Sequence, residues 1–261
     1  MIDWRPTKLE EIPALAADVV RHRPHVVITG GPRVTLAVAK ETSEIPIVFI
    51  AVGDPVKLGV VKSLTHPGGN LTGFQTVANP GLPGKLMQLL KEAAPRTSRV
   101  GILLAPANAM HVGFAERAKE FAKSLGLGAV VLNIHDEKDL EPAFDTAKRE
   151  GVDGLVTPGD VLFNANRERI AALALKRRLP TVFMFSYYAD AGGMLAYAVS
   201  VESFFRNAAR QADRILRGAK PAELPVEMAD KYDFVINLRT AKQLGLRIPE
   251  SLLIQATRVI E

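Results

Sequence analysis

The stretch Ile45-Pro-Ile-Val-Phe-Ile-Ala-Val-Gly-Asp-Pro-Val56 decides the fold, because it joins an apolar run to a polar loop. Its apolar half has no polar alternation, which is typical of a strand buried on both faces of a parallel sheet. The run stops at Gly53-Asp54-Pro55, where open α/β sheets present ligand-binding loops. Gly53 lets a bound molecule approach the backbone closely, and Pro55 suits the first turn of a helix predicted over 55–64.

Similar strand–loop–helix units lie on both sides of this stretch. Before it, the apolar run His25–Thr29 ends at Gly30-Gly31 and leads into a predicted helix over 34–41. After it, buried strands alternating with helices are predicted at 100–104, 129–133, 154–157 and 181–185, with edge or tail strands at 224–228 and 234–237. This order predicts parallel sheets, and 261 residues exceed the usual size of one domain. We therefore predict an α/β protein of two Rossmann-like lobes with helices flanking each sheet.

Composition and motifs exclude several function classes. The chain has no cysteine, which rules out disulfides, thiolate metal sites and cysteine nucleophiles. The net charge of +5 comes from lysines and arginines spread along the chain without a nucleic-acid-binding motif, so no nucleic-acid partner is predicted. The histidines lack metal-ligand spacing, and the motifs Gly-x-Ser-x-Gly, Walker A and Gly-x-Gly-x-x-Gly are absent. We therefore expect no enzyme, no metal site and no cofactor.

The amino-terminal sequence and the hydropathy pattern predict no membrane segment. No apolar run approaches the roughly 20 residues that cross a bilayer. The start, Met1–Arg5, lacks the charged and apolar regions of a signal peptide. The chain as written is therefore expected in the cytoplasm.

Ten short phrases, in a fixed order along nearly the whole chain, resemble one bacterial family. They are Leu15–Val20, Ile45–Phe49, Gly53–Val56, His66–Gly73, Arg99–Leu103, Pro106–Asn108, Ala191–Met194, Val235–Leu238, Ala241–Gly245 and Ile248-Pro249. This set is similar to the ABC transporter substrate-binding proteins of the type I periplasmic-binding-protein fold, and more narrowly to the tryptophan/tyrosine-type binders. The resemblance implies a small amino-acid-like or aromatic solute, bound in a cleft between two lobes that close by hinge motion. It also implies an uptake system, an ABC transporter permease as partner, and a periplasmic or lipid-anchored location for the family.

The chain departs from this family at its start. Because Ile2-Asp-Trp-Arg5 resembles the end of the family's second strand, we expect the signal peptide and the first β–α unit to be missing. We place the amino-terminal lobe at residues 1–95 plus 192–220 and the carboxy-terminal lobe at 96–191 plus 221–261. The missing unit would leave an unpaired sheet edge, so homo-oligomers formed through that edge are predicted. The alternative function is a cytosolic ligand-sensing or regulatory domain of the same fold, and a Rossmann-like enzyme ranks third.

In the amino-terminal lobe, the resemblance implies that loops at strand ends hold the solute's carboxylate. Backbone N–H groups near Thr29-Gly30-Gly31 and Ala51 would bind it at helix N-termini, where the helix dipole is positive. For the two glycines the alternative is a tight turn before a helix. Gly53 would let the solute approach, and Asp54 either accepts a hydrogen bond from its amine or caps the next helix, which we favour. Thr72 is a hydrogen-bonding wall residue or a plain turn residue.

In the carboxy-terminal lobe, the better candidate for the solute amine is Asp160, which follows a strand end; helix capping is again the alternative. Asn108 faces the same choice as Thr72 in the other lobe.

Three aromatic residues lie at or just after the end of the predicted strand at 181–185. Ser186 and Tyr187 come directly after residues 181–185, and the rings of Phe185, Tyr187 and Tyr188 can stack on an aromatic solute. Strand alternation instead places Phe185 in the core and one of the two tyrosines inside the lobe.

Overall fold

Residues 9–75, 81–228 and 231–261 are described by a computed structural model and separate into two units. The first takes its described residues from Met1–Asn79 and Val201–Lys231, the second from Pro80–Ser200 and Tyr232–Glu261. Each unit has its own sheet and its own apolar core. The predicted strand end at Ile2–Arg5 lies outside the described residues.

The first unit is a parallel sheet flanked by helices. With elements numbered along the whole chain, it contains α1 (Ile12–Arg21), β1 (Val27–Gly30), α2 (Gly31–Glu41), β2 (Ile47–Val52), β3 (Leu71–Gln75), α9 (Val201–Leu216) and β9 (Glu227–Met228). The short 3-10 helices Leu9–Glu11 and Pro221–Glu223 precede α1 and β9. The strands pair in the order β1–β2–β3–β9, all of them parallel.

Strand β2 is buried on both faces, as its unbroken apolar composition predicts. Its residues 47–50 are each at most 5% exposed. Because successive side chains point to opposite faces, Ile47 and Phe49 lie on one face and Val48 and Ile50 on the other. Burying one such side chain contributes about 1.5–3 kcal/mol. The strand therefore fixes the sheet and also the loop that follows it.

The second unit contains a larger, mixed sheet. Its helices are α3 (Leu82–Ala93), α4 (Ala109–Ser124), α5 (Leu140–Arg149), α6 (Val161–Ala165), α7 (Arg167–Lys176), α8 (Tyr187–Asp190), α10 (Leu238–Gln243) and α11 (Glu250–Gln255). Its strands are β4 (Arg99–Leu104), β5 (Gly128–Asn133), β6 (Gly154–Thr157), β7 (Thr181–Phe183), β8 (Leu195–Val199), β10 (Tyr232–Asn237) and β11 (Arg258–Ile260). Within the described ranges, seven strands pair in the order β11–β10–β8–β7–β6–β4–β5, all parallel except β8 with β10.

The lobe boundaries differ from those predicted. Helix α3 belongs to the second unit, because Leu86 and Leu90 pack in one core with Ile102 and Val182. Strand β8 also belongs there, since it pairs with β7 and β10. Residues 221–228 belong to the first unit through the pairing of β9 with β3. Residues 234–237 were predicted as an edge or tail strand; β10 lies between β8 and β11, so the edge alternative is wrong for it.

Residues 55–64 do not form the predicted helix. Leu58 N–H donates to the Asp54 carbonyl at 3.0 Å and Val60 N–H to the Pro55 carbonyl at 2.8 Å, which makes a single turn. Gly59 then takes a φ of +69°, a left-handed conformation that ends a helix and that glycine adopts without strain.

Several helices end at a residue of left-handed backbone conformation. Glycine takes this place after α4, α5, α9 and α10, at Gly126, Gly151, Gly218 and Gly245. Arginine takes it after α1 and α7, where Arg23 has a φ of 46° and Arg178 a φ of 58°.

Across the described ranges, no helix combines the length and the apolar character needed to span a membrane.

Candidate functional site

In the first unit, two predicted loops meet at one edge of the sheet. Strands β1 and β2 are parallel neighbours with Gly30 opposite Ile50, so the loops after them lie side by side. Helix α2 begins at Gly31 and no side chain caps its first turn. A Cβ atom at Gly30 or Gly31 would meet nothing within 4 Å. This helix N-terminus can therefore offer backbone N–H groups to an anion.

Thr29 contributes to this turn through its buried side chain. Thr35 donates its hydroxyl to the Gly31 carbonyl at 2.8 Å, so the 2.9 Å bond between the two threonine hydroxyls has Thr29 as donor. The Thr29 hydroxyl thus ties β1 to α2, and backbone groups remain the candidate ligand contacts here.

The loop after β2 has an unusual backbone. Ala51 has a φ of 57°, and the pairing of β2 with β3 shifts register between Phe49 and Val52. A non-glycine residue in this conformation costs of order 1–3 kcal/mol, and such strain clusters at ligand sites. Gly53 is buried, and Asp54 accepts a hydrogen bond from Lys57 N–H at 2.9 Å. The carboxylate of Asp54 therefore caps the turn that replaces the predicted helix.

Thr72 does not lie with these loops. It is fully buried at the second position of β3, and its hydroxyl donates to the Leu224 carbonyl at 2.8 Å. This corrects both predicted alternatives, a wall residue of the site and a plain turn residue, because Thr72 lies within β3 and its side chain holds that strand to the segment before β9.

In the second unit, polar residues gather where β4 and β6 end. Asn108 donates its side-chain amide to Asp160 Oδ2 at 2.8 Å, which links the two loops. Asp160 is 6% exposed, and its Oδ1 accepts from Leu162 N–H at 2.9 Å, so it caps α6. The capping alternative is therefore realised, while each carboxylate oxygen can still accept a second hydrogen bond.

The buried side chain of His111 makes hydrogen bonds to both of these loops. Its Nδ1 accepts from Ala105 N–H at 2.9 Å, so the ring proton lies on Nε2, which donates to the Gly159 carbonyl at 3.1 Å. Its ring stacks on Phe163 with centroids 5.7 Å apart. His111 thus positions the loops that carry Asn108 and Asp160.

Replacing His111 by alanine is expected to destabilise the protein by about 2–4 kcal/mol, since it leaves two buried backbone groups unpaired and a hole beside Phe163. His111→Asn should recover part of this loss, because its amide oxygen can take the place of Nδ1. Urea denaturation of both variants measures the difference. Equal losses for the two would contradict the hydrogen bond assigned to Nδ1.

The aromatic residues at the end of β7 and just after it form one continuous stack. Phe183 stacks on Tyr188, Tyr188 on Tyr187, and Tyr187 on Phe185, with centroids 4.8, 5.3 and 5.4 Å apart. Both tyrosine hydroxyls donate to Asn164 Oδ1, at 2.9 Å from Tyr187 and 2.8 Å from Tyr188. Burial raises the pKa of both tyrosines above the usual value, so both remain donors at neutral pH.

Phe185 is not the core residue that strand alternation predicts. Strand β7 ends at Phe183, and Phe185 is partly exposed with a φ of 75°. Its ring lies against Gly159, where a Cβ atom would stand 2.2 Å from Cε2. Ser186 follows, partly buried, and its hydroxyl makes no capping bond to α8. Of the two tyrosines, Tyr188 is buried and Tyr187 is partly exposed, as expected for one ring inside the lobe.

These groups form one contiguous cluster, which we call the strand-end cluster: Asn108, His111, Gly159, Asp160, Asn164, Phe185, Ser186 and Tyr187. It lies where β4, β6 and β7, three neighbouring strands, end. Sequence reasoning missed the parts played by His111, Gly159 and Asn164. Two of these stand one helical turn after predicted site residues, His111 after Asn108 and Asn164 after Asp160, and that spacing could have found them.

Two α/β units, one with a parallel and one with a mostly parallel sheet, and each with candidate binding groups at strand ends, have the type I periplasmic-binding-protein fold. A family model described as ABC transporter substrate binding protein matches residues 7–260, and the chain belongs to that family. The family binds solutes.

Known relatives agree with this assignment. A tyrosine-binding protein of Clostridioides difficile is 24% identical over 206 residues, which are 79% of this chain and 59% of that protein's length. A conserved domain protein from Vibrio cholerae has 27% identity and a TM-score of 0.84, over 97% of this chain and 84% of that one. An ABC domain from Streptococcus pneumonia, crystallised with L-Trp, has 23% identity and a TM-score of 0.85, over 97% and 86%.

Proposed function

We propose that this chain is the solute-binding component of an ABC-type uptake system and that its solute is a small amino-acid-like or aromatic molecule. One observation carries the proposal: an aromatic stack and a carboxylate lie in the same strand-end cluster. The stack includes the partly exposed rings of Phe185 and Tyr187, and the carboxylate is that of Asp160. An aromatic amino acid needs both kinds of contact, an apolar face for its ring and an acceptor for its amine.

Each end of such a solute has a candidate partner. The carboxylate would bind the open N-terminus of α2 at Gly30-Gly31 and the backbone at Ala51, with Gly53 and Asp54 in the same loop. The amine would bind Asp160, with Asn108 and Ser186 beside it. The ring would stack against Phe185 and Tyr187. In this proposal the solute occupies a cleft between the two units, which close on it by hinge motion.

The relatives support the solute class, since one is a tyrosine-binding protein and another was crystallised with L-Trp. Because the chain spans 59% of the first relative's length, its uptake role, a permease partner and a place outside the cytoplasm are proposed on family membership alone. We propose that the solute is bound without being chemically changed, without a cofactor and without a nucleic-acid partner.

Replacing Phe185 by leucine tests the aromatic contact. We expect affinity for L-tryptophan and L-tyrosine to fall by about tenfold, since an aromatic pair contributes about 0.5–1.5 kcal/mol beyond its buried area. Any affinity for L-leucine should change little, because leucine makes no ring stack. Thermal-shift titrations of both proteins measure the effect, and equal losses for the aromatic and aliphatic solutes would argue against stacking at Phe185.

We further propose that the chain self-associates through the edge of its first sheet. Among the described residues β1 pairs only with β2, and Ile28 on β1 is 41% exposed. An open edge with exposed apolar surface favours pairing with a second copy.

Light scattering at micromolar concentration is expected to detect dimers or larger species. Ile28→Lys should shift them to monomer, because a charge on an edge strand opposes edge-to-edge pairing. A strictly monomeric unmodified chain would exclude the proposed self-association.

A further inference from the structure

A second candidate binding site lies away from the strand-end cluster. A surface cavity of about 280 Å³ in the second unit is lined by Lys148, Lys176, Arg177 and Arg178, above an apolar floor of Val152 and Leu179. These cations come from the last turns of α5 and α7 and from the residues just after α7. The cavity therefore lies at the amino-terminal ends of β6 and β7, whereas Asp160 and Phe185 lie beyond the carboxyl ends of the same strands.

One of the four cations is already neutralised. Arg177 pairs with Asp145, and its guanidinium lies over the Phe144 ring at 5.9 Å. Within the described part of the chain, Lys148, Lys176 and Arg178 form no ion pair. Basic side chains at helix ends offset the helix dipole, and this accounts for cations here in general. The helix dipole does not explain why Arg178, a non-glycine residue, has a left-handed backbone conformation.

The two helices that form the cavity end in equivalent turns with different residues. After α5, Gly151 N–H donates to the Lys148 carbonyl and Val152 N–H to the Ala147 carbonyl, at 3.1 and 2.9 Å. After α7, Arg178 N–H donates to the Leu175 carbonyl and Leu179 N–H to the Ala174 carbonyl, both at 2.9 Å.

The left-handed residue is glycine in the first turn and arginine in the second, with φ of 69° and 58°. Arginine is strained there while glycine is not, so the second turn keeps a guanidinium at the cavity against its backbone preference.

We propose that this cavity binds a phosphate group through Lys148, Lys176 and Arg178. Three unpaired cations around one recess suit a multiply charged oxyanion, and a guanidinium can donate two parallel hydrogen bonds to it. The phosphate can belong to a soluble compound or to a phospholipid headgroup, since the contacts to the oxyanion are the same. This site is independent of solute binding at the strand-end cluster.

The test compares Arg178→Gly with Arg23→Gly. Both substitutions remove one positive charge from a left-handed position at a helix end, but Arg23 belongs to the first unit and does not line the cavity. Both should leave the melting temperature unchanged or higher, because glycine relieves the backbone strain. Only Arg178→Gly should weaken binding, by up to about fivefold for an exposed charge-assisted contact. Lys148→Gln with Lys176→Gln provides a second variant that leaves the backbone unaltered.

Two probes distinguish the sources of the phosphate: inorganic pyrophosphate, followed by calorimetry, and phosphatidylglycerol vesicles, followed by co-sedimentation against phosphatidylcholine vesicles. Binding of pyrophosphate that is lost in Arg178→Gly supports a soluble phosphate compound. Binding only to the anionic vesicles, with the same loss, supports a headgroup. The proposal is overturned if the unmodified chain binds neither probe, or if Arg178→Gly and Arg23→Gly lose binding equally.

Discussion

Replacing Gly73 by alanine is expected to disrupt the sheet of the first unit. Gly73 lies in β3 opposite Phe49 of β2, and a Cβ atom on it would stand 2.0 Å from the Phe49 carbonyl oxygen and 2.6 Å from the Phe49 nitrogen. Real Cβ atoms do not approach backbone this closely, and these atoms belong to β2, an inner strand of the sheet. Relief therefore requires the two strands to separate, which should cost about 4 kcal/mol or more, a large part of a typical domain's stability.

Urea denaturation followed by circular dichroism measures this loss, and Gly69→Ala is the matched control. Gly69 lies just before β3, and a Cβ atom there would meet nothing within 4 Å. We expect the control to stay within about 0.5 kcal/mol of the unmodified chain. If Gly73→Ala behaved like the control, the close approach of β2 and β3 would be wrong.

Replacing Gly159 by alanine is expected to abolish most aromatic-solute binding without unfolding the protein. The new Cβ atom would stand 2.2 Å from Cε2 of Phe185, so that ring must turn away from its stack on Tyr187. A side-chain ring can move where a strand cannot, so the stability loss should stay below about 2 kcal/mol. Affinity for L-tryptophan should fall at least about tenfold, because the stacking surface is displaced.

Gly113→Ala is the matched control for this effect. It also adds one methyl group, but in helix α4, where the nearest atom would lie 3.8 Å away. Calorimetry should find its affinity unchanged. If Gly159→Ala bound the solute as tightly as the unmodified chain, Phe185 would have no part in the site.

Local patterns predicted much of the fold because burial leaves a periodic record in the sequence. The apolar run at 45–50 became a strand buried on both faces, and the alternation of strands and helices gave the α/β class. The lobe boundaries were wrong because they depend on long-range pairing. The apolar sequence of β8 resembles that of the neighbouring strands. Its antiparallel pairing with β10, however, depends on where the chain re-enters the second unit after residues 201–231.

The candidate site was predicted in part for the same reason. Residues in the loops that follow strands, such as Asp160 and Tyr187, are found by position alone. The contact of His111 with the Gly159 carbonyl joins segments 48 residues apart, so no local pattern contains it, although the contact with Ala105 is local. The left-handed backbone of Phe185 could not be predicted either, because residues 181–185 have the composition of a strand.

The most direct test of the proposed function is calorimetric titration of the unmodified chain with L-tyrosine and L-tryptophan, with L-leucine as the aliphatic comparison. We expect saturable one-site binding of at least one aromatic amino acid, and a melting temperature that rises with its concentration. At a hundredfold excess over Kd, binding to the folded state alone adds about 2.7 kcal/mol of stability. Absence of both heat and stabilisation with every one of these solutes, in a chain that unfolds cooperatively, would contradict the proposed function.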